Sequence, residues 1–256
     1  MTDARSLGAL TAIPQPFEEA LLQTPVWRVL VDGTPDAHDI AALAVATRVE
    51  QVGLAMCRLD EGDPAIELFS AAGFRPVEVL LTYDAPLPAA AVMPAGVRTA
   101  VESDIADCRA VAAASFRFDR FHTDTVIDHA TADSLKAQWV ENALRGRADA
   151  VLVAEREGTI AGFNACLLTP GAAVIDLIAV RPHAQGAGIG RMLVSGAFAH
   201  FAGRAPVLRV GTQEDNHASC RLYESFGMEV VRRQVTLHWT PGSAPTTDQS
   251  RKAIDS

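Results

Sequence analysis

The stretch AAVIDLIAVRPHAQGAGIG, residues 172–190, decides how the rest of the chain is read. Its first nine residues are apolar apart from Asp176, the profile of a buried strand. Arg181-Pro182-His183-Ala184 reads as a turn. Gln185-Gly186-Ala187-Gly188-Ile189-Gly190 follows, and beyond it Met192, Leu193, Phe198 and Phe201 form an apolar-periodic segment. The order is therefore strand, glycine-rich loop, helix. Such a loop lets backbone N–H groups approach a phosphate, and the helix N-terminus adds a partial positive charge. The expected anion is a pyrophosphate. The string is not a P-loop, because no Lys-Ser or Lys-Thr follows the glycines, and it does not fit G-x-G-x-x-G. A strand–helix turn that binds nothing is the bland alternative.

Downstream, residues 206–212 (PVLRVGT) read as another buried strand. Asn216 then caps a helix, NHASCRLYESFG, closed by Gly227, and residues 228–239 give one or two strands. Upstream, residues 150–155 and 160–168 are strands joined at Glu157-Gly158, and residues 132–145 form a helix ending at Gly146. A helix opens at Ser103 or Asp104 and runs toward Ser115. The string after it, FRFDRFH at 116–122, alternates aromatic with charged residues. It reads either as a strand edge or as a loop showing cationic and aromatic groups to a ligand.

Val180-x-Pro182-x-x-Gln185-x-x-Gly188-x-Gly190 resembles the acetyl-CoA signature of the GNAT N-acetyltransferase superfamily. Asn216, Tyr223 and Gly227 resemble its second signature, with Ala218 loosely spaced and Met228 in place of the usual phenylalanine. Two further segments, AQWVENALRG at 137–146 and LRVGTQ at 208–213, are similar to sugar-nucleotide N-acetyltransferases of the dTDP-fucosamine type. The resemblance covers residues 96–239. It implies an α/β GNAT fold, a mixed sheet whose central strands splay apart to admit pantetheine. The N–H groups near Ile178 and Val180 would meet the acetyl carbonyl. Gln185, Gly186, Ala187, Gly188, Ile189, Gly190 and Arg191 would hold the pyrophosphate, and Asn216 would contact CoA. Tyr223 would protonate the leaving sulfur; otherwise it is a plain core aromatic. Asp176 would take the amine's proton, or is simply a satisfied buried acid.

Residues 54–83 laid over 208–237 without a gap match in strand, helix, cap and strand, with Phe69 opposite Tyr223. The first 85 residues therefore read as a partial copy of the same fold without its glycine loop, expected to be structural. Residues 1–23 read as a loosely held arm. The proline- and alanine-rich residues 86–95 form a linker, 96–239 the acetyltransferase domain, and 240–256 a disordered tail.

The chain has 256 residues, 49% of them hydrophobic, and a net charge of −9. That charge argues against nucleic acid as the main partner. No run of 18 apolar residues is present, and no secretory h-region opens the chain. The four cysteines lack metal-ligand spacing and read as free thiols of a reducing cytoplasm. The expected activity is acetyl transfer from acetyl-CoA, without a metal, to a small-molecule amine, above all a nucleotide-linked amino sugar. Arg117, Arg120 and His122 are the candidates for binding that acceptor. The alternatives are acetylation of a protein N-terminus or another small amine, and an acetyl-CoA sensor without turnover. A homodimer is the assembly allowed for.

Overall fold

A computed structural model describes residues 4–242. In chain order the strands and helices are β1 (Arg5–Leu7), β2 (Leu10–Pro14), α1 (Pro16–Leu22), β3 (Val26–Val31), α2 (Ala37–Val49), β4 (Leu54–Asp60), α3 (Ala65–Ala71) and β5 (Arg75–Pro86). Then come β6 (Val97–Thr99), α4 (Ile105–Ser115), α5 (Arg120–Thr123), α6 (His129–Asn142), β7 (Ala150–Arg156), β8 (Thr159–Thr169) and β9 (Ala172–Val180). The series ends with α7 (Ile189–Phe201), β10 (Val207–Gln213), α8 (His217–Glu224) and β11 (Glu229–Trp239). The mixed α/β class expected from the sequence is the one observed. No described helix is long and apolar enough to cross a membrane.

The chain divides into two compact units, Met1–Leu80 with Arg233–Ser256, and Leu81–Arg232. In the first, β2 pairs antiparallel with β1 and β3, and β3 runs parallel to β4. The expected loose arm is thus corrected: Leu10 and Ala12 alternate inward and are fully buried, which fixes β2 to the core. Helix α2 begins where Asp36 accepts from the N–H groups of His38 and Asp39, and Asp39 returns the bond to the Asp36 N–H. Phe69 of α3 is fully buried and meets Phe74 edge-on at 4.9 Å. Strand β11 pairs antiparallel with β4, from Gln234↔Asp60 to Trp239↔Ala55.

The second unit is built on β6, β7, β8 and β9, an antiparallel run, with β10 parallel to β9. The end of β5 lies beside β10. Side chains alternate cleanly: Val151, Val153, Leu177 and Ala179 pack under α4 and α6, while Leu152, Ala154, Ile178 and Val180 pack with α7. Asp84 accepts both Nε and Nη2 of Arg209, at 2.7 and 2.6 Å, which locks the β5 end to β10. Residues 243–256 of the expected tail lie outside the described residues. The sequence comparison of 54–83 with 208–237 meets matching elements, β4–α3–β5 against β10–α8–β11. Their closing strands are exchanged, for β11 joins β4 and the end of β5 joins β10.

Candidate active site

The β9–β10 ladder runs from Ala172↔Val207 to Ile175↔Val210, although β9 continues to Val180 and β10 to Gln213. On its other side β9 stays paired with β8 as far as Gly162↔Val180. Between Ala165↔Leu177 and Cys166↔Ile175 one residue of β9, Asp176, has no opposite number. This is a β-bulge, and a bulge bends the strand that carries it. It sits where β9 leaves β10. Residues 177–180, with Ile178 and Val180 among them, therefore keep one side of their backbone unpaired toward β10.

At the end of β9, Arg181 secures the turn, its N–H donating to Ala161 and its Nε to Ile160. Gln185, Gly186, Ala187 and Gly188 are exposed, and Ile189 is buried as α7 begins. Gly186 and Gly188 hold φ of 76° and 82°, and nothing lies within 4 Å of where their Cβ atoms would be. Backbone conformation, not crowding, demands glycine there. The Gln185 side chain folds back onto the Val180 carbonyl at 3.3 Å. Arg191 lies over the Phe226 ring and donates to the Ser225 hydroxyl at 2.8 Å, so the guanidinium bridges α7 to the end of α8.

Asn216 caps α8 by accepting the Ser219 N–H through its amide oxygen at 3.2 Å. Seven residues on, about two turns, Tyr223 is 2% exposed. Burial pushes its phenol above the usual range. Helix α8 lies on the α7 side of the sheet, as the Arg191–Ser225 bond and the stacked Phe198–Phe226 pair require.

Asp176 is on the other side. Of the two readings open for it, base or satisfied buried acid, the second does not fit, since Asp176 is exposed, and Arg147 donates to its Oδ2 at 2.6 Å. Arg147 comes from the turn that closes α6, where Gly146 has φ 107°. Sequence reasoning passed over Arg147. Its only signal was a cation straight after a helix-ending glycine.

The string FRFDRFH forms bends and the single turn α5, not a strand edge. His122, named as an acceptor-binding candidate, points inward. It is buried, its Nδ1 2.6 Å from Asp119 Oδ2 and its Nε2 3.1 Å from Asp133 Oδ1, so both ring nitrogens are occupied. Arg117 pairs with Asp133 at 3.1 Å, and Arg120 lies over the rings of Phe121 and Trp139. Asp119 also holds Lys136 Nζ at 3.2 Å, and that ammonium lies 4.3 Å from the centre of the Trp139 ring. Burial alone would raise the Asp119 carboxyl. The His122 bond and the Lys136 charge outweigh it and hold the group well below the carboxylate range.

The four cysteines are free and buried, and burial pushes the Cys57 and Cys108 thiols up to about 12.

Comparison with known proteins agrees with this geometry. Residues 112–228 match the acetyltransferase (GNAT) family. The dTDP-fucosamine acetyltransferase of Escherichia coli is 33% identical over 209 residues, covering 80% of this chain and 84% of that protein. The spore coat polysaccharide biosynthesis protein SpsD of Bacillus subtilis is 28% identical over 129 residues, half of this chain but 45% of that protein. The solved structure of a GCN5-related N-acetyltransferase from Kribbella flavida superposes with a TM-score of 0.63 at 16% identity, covering 94% of this chain and 90% of that one. The parted strands, the glycine loop at the head of α7 and the family match together make this chain a member of the GNAT acetyltransferase family.

Proposed function

We propose that residues 81–232 bind acetyl-CoA in the opening between β9 and β10 and pass its acetyl group to the primary amine of a nucleotide-linked amino sugar. One observation carries the reading: the β9–β10 ladder stops at the Asp176 bulge, leaving two strand ends apart with chemistry on both faces. The α7–α8 face suits the donor. There the pyrophosphate lies on the exposed loop of residues 186–188 at the head of α7, and Asn216, its amide oxygen used in the cap, turns its Nδ2 donors to CoA. The α6 face suits the amine, where Asp176 attracts the ammonium and takes its proton.

The neutral nitrogen then attacks the acetyl carbon, the N–C bond forms, and the C–S bond breaks. The unpaired N–H groups of β9 take up charge on the carbonyl oxygen. Tyr223 gives its proton to the departing thiolate, and a phenol that burial keeps protonated suits that task. The nucleotide sugar as acceptor is supported by the 33% identity to dTDP-fucosamine acetyltransferase. A small amine without a nucleotide is the second reading. It draws on the partners that Arg117, Arg120 and His122 already have within the protein, Asp133, the Phe121 and Trp139 rings, and Asp119 with Asp133. The test is to incubate the protein with acetyl-CoA and a panel of nucleotide amino sugars, free amino sugars and polyamines, following free thiol. Acetylation of the nucleotide sugars alone is the expected result. Turnover of the other amines alone favours the second reading, and no turnover at all refutes both.

A further inference from the structure

The chain contains two tyrosines, Tyr83 and Tyr223. They are 140 residues apart in sequence, and the fold sets them ring to ring, centroids 5.7 Å apart with the planes tilted by 52°. Each is 2% exposed. Tyr83 comes from β5, ahead of the linker, in the part of the sequence read above as structural. Its position is held from the next residue, since Asp84 is doubly bonded to Arg209, and a little further on the Leu87 N–H donates to the Pro206 carbonyl at 2.9 Å. The Tyr83 hydroxyl lies against α8, 3.4 Å from Glu224 Oε1 and facing the Cys220 thiol. Tyr83 is thus clamped at both ends, with its ring against Tyr223 between the clamps.

We propose that Tyr83 is a positioning residue of the acetyl-transfer site: its ring fixes the angle at which the Tyr223 ring, and so its hydroxyl, faces the leaving sulfur. The inference rests on the role given to Tyr223 above. It assigns a task in the reaction to the segment before the linker. Within α8 the Ser219 side chain hydrogen-bonds the Tyr223 hydroxyl, and on the side toward β5 the Tyr83 ring bounds the Tyr223 ring. A ring at that place selects one rotamer, and acid catalysis depends on such alignment. Burial, with the neighbouring Cys220 and Glu224, raises the Tyr83 phenol above its usual range, so at neutral pH the ring brings no charge to the site. Contact through the ring, rather than through the hydroxyl, separates this role from that of a proton donor.

The experiment uses the full chain with Tyr83→Phe and Tyr83→Leu. In steady-state assays with an amine that turns over, Tyr83→Leu is expected to lose kcat by about tenfold or more while the acetyl-CoA KM stays within about twofold. Tyr83→Phe, which keeps the ring, is expected to restore kcat to within about twofold of wild type. A purely structural role would lower the melting temperature of Tyr83→Leu and leave kcat alone. Should Tyr83→Leu fail to fold, Tyr83→Met, flexible and of similar size, carries the same expectation.

A second measurement needs no acceptor. With ring-labelled tyrosine the protein gives two phenol carbon signals, and Tyr83→Phe assigns them. On adding acetyl-CoA, the Tyr223 signal is expected to move to one sharp new position in wild type and in Tyr83→Phe, and to broaden in Tyr83→Leu. If wild type acetylates no amine, the proposed function fails, and the signals alone judge the ring pairing. Wild-type kcat in a folded Tyr83→Leu, equal damage in Tyr83→Phe, or a Tyr223 signal indifferent to Tyr83→Leu overturns the proposal.

Discussion

Tyr223 and Gly188 make the most local claims. Replacing Tyr223 by Phe keeps the ring and its contact with Tyr83 and removes the proton. The expected outcome is a kcat lowered by about a hundredfold with acetyl-CoA affinity unchanged, read by steady-state kinetics beside calorimetric binding. Gly188 holds φ 82° at the helix entrance, where any side chain is strained, and glutamate adds a negative charge where the pyrophosphate is placed. Calorimetry on a folded Gly188→Glu protein should therefore show acetyl-CoA binding lost; unchanged affinity would move the donor site elsewhere. Both residues were legible in the sequence because the chemistry imposes a spacing: glycines where a backbone must turn left-handed, a tyrosine two turns after a helix cap. Arg147 and Tyr83 were not. Their significance arises from residues far along the chain, Asp176 and Tyr223, and no spacing along the chain reports that.

At the scale of elements, the α4–α6 layer turns on a buried charge cluster. Asp119 receives His122 and Lys136, and Asp133 receives His122 and Arg117. Burial alone would lower the His122 pKa, but the Asp119 hydrogen bond prevails and raises it. A raised folded-state pKa means that His122 contributes stability in full below its unfolded value of about 6.5, and loses it as pH rises through the folded value. Asp119, held low, contributes above the unfolded carboxylate value of about 3.9 and loses it as pH falls toward the folded one. The cost of His122→Gln, measured by denaturant melts, should accordingly be larger at pH 6 than at pH 9; a constant cost would remove His122 from the account. Lys136→Met breaks a buried ion pair by deleting one partner, with an expected loss of about 3–5 kcal/mol. Alternating aromatic and charged letters at 116–122 resemble a ligand surface when read alone. Their partners, Asp133 and Lys136, lie on the next helix, so the sequence reading left open what packing decides.

For the whole molecule, the strand exchange matters most. The linker at 86–95 marks a change of composition, whereas the compact units divide within β5 and β11. Most strand and helix positions beyond residue 25 followed from hydrophobic period and caps, whereas β1, β2 and α1 lie in the stretch read as a loose arm. Which strand closes which unit is a matter of register and partner, and two matching β–α–β segments offer the same pattern to either. A cut at residue 92 therefore leaves β10 without the end of β5, and β4 without β11. Fragments 1–92 and 93–256 made separately should be insoluble or unfolded, and made together should co-purify and regain acetyl-CoA binding. Independent folding of 93–256 with full affinity would count against the exchange. The enclosure of Lys136 has a different consequence. It is one of two lysines in the chain, 3% exposed between Asp119 and Trp139, and Lys252 lies outside the described residues. A protein that handles an activated acyl group thus exposes no lysine amine of its own among residues 4–242, so brief treatment of the folded chain with acetic anhydride should leave Lys136 unlabelled, and unfolding the chain first should expose it to the reagent.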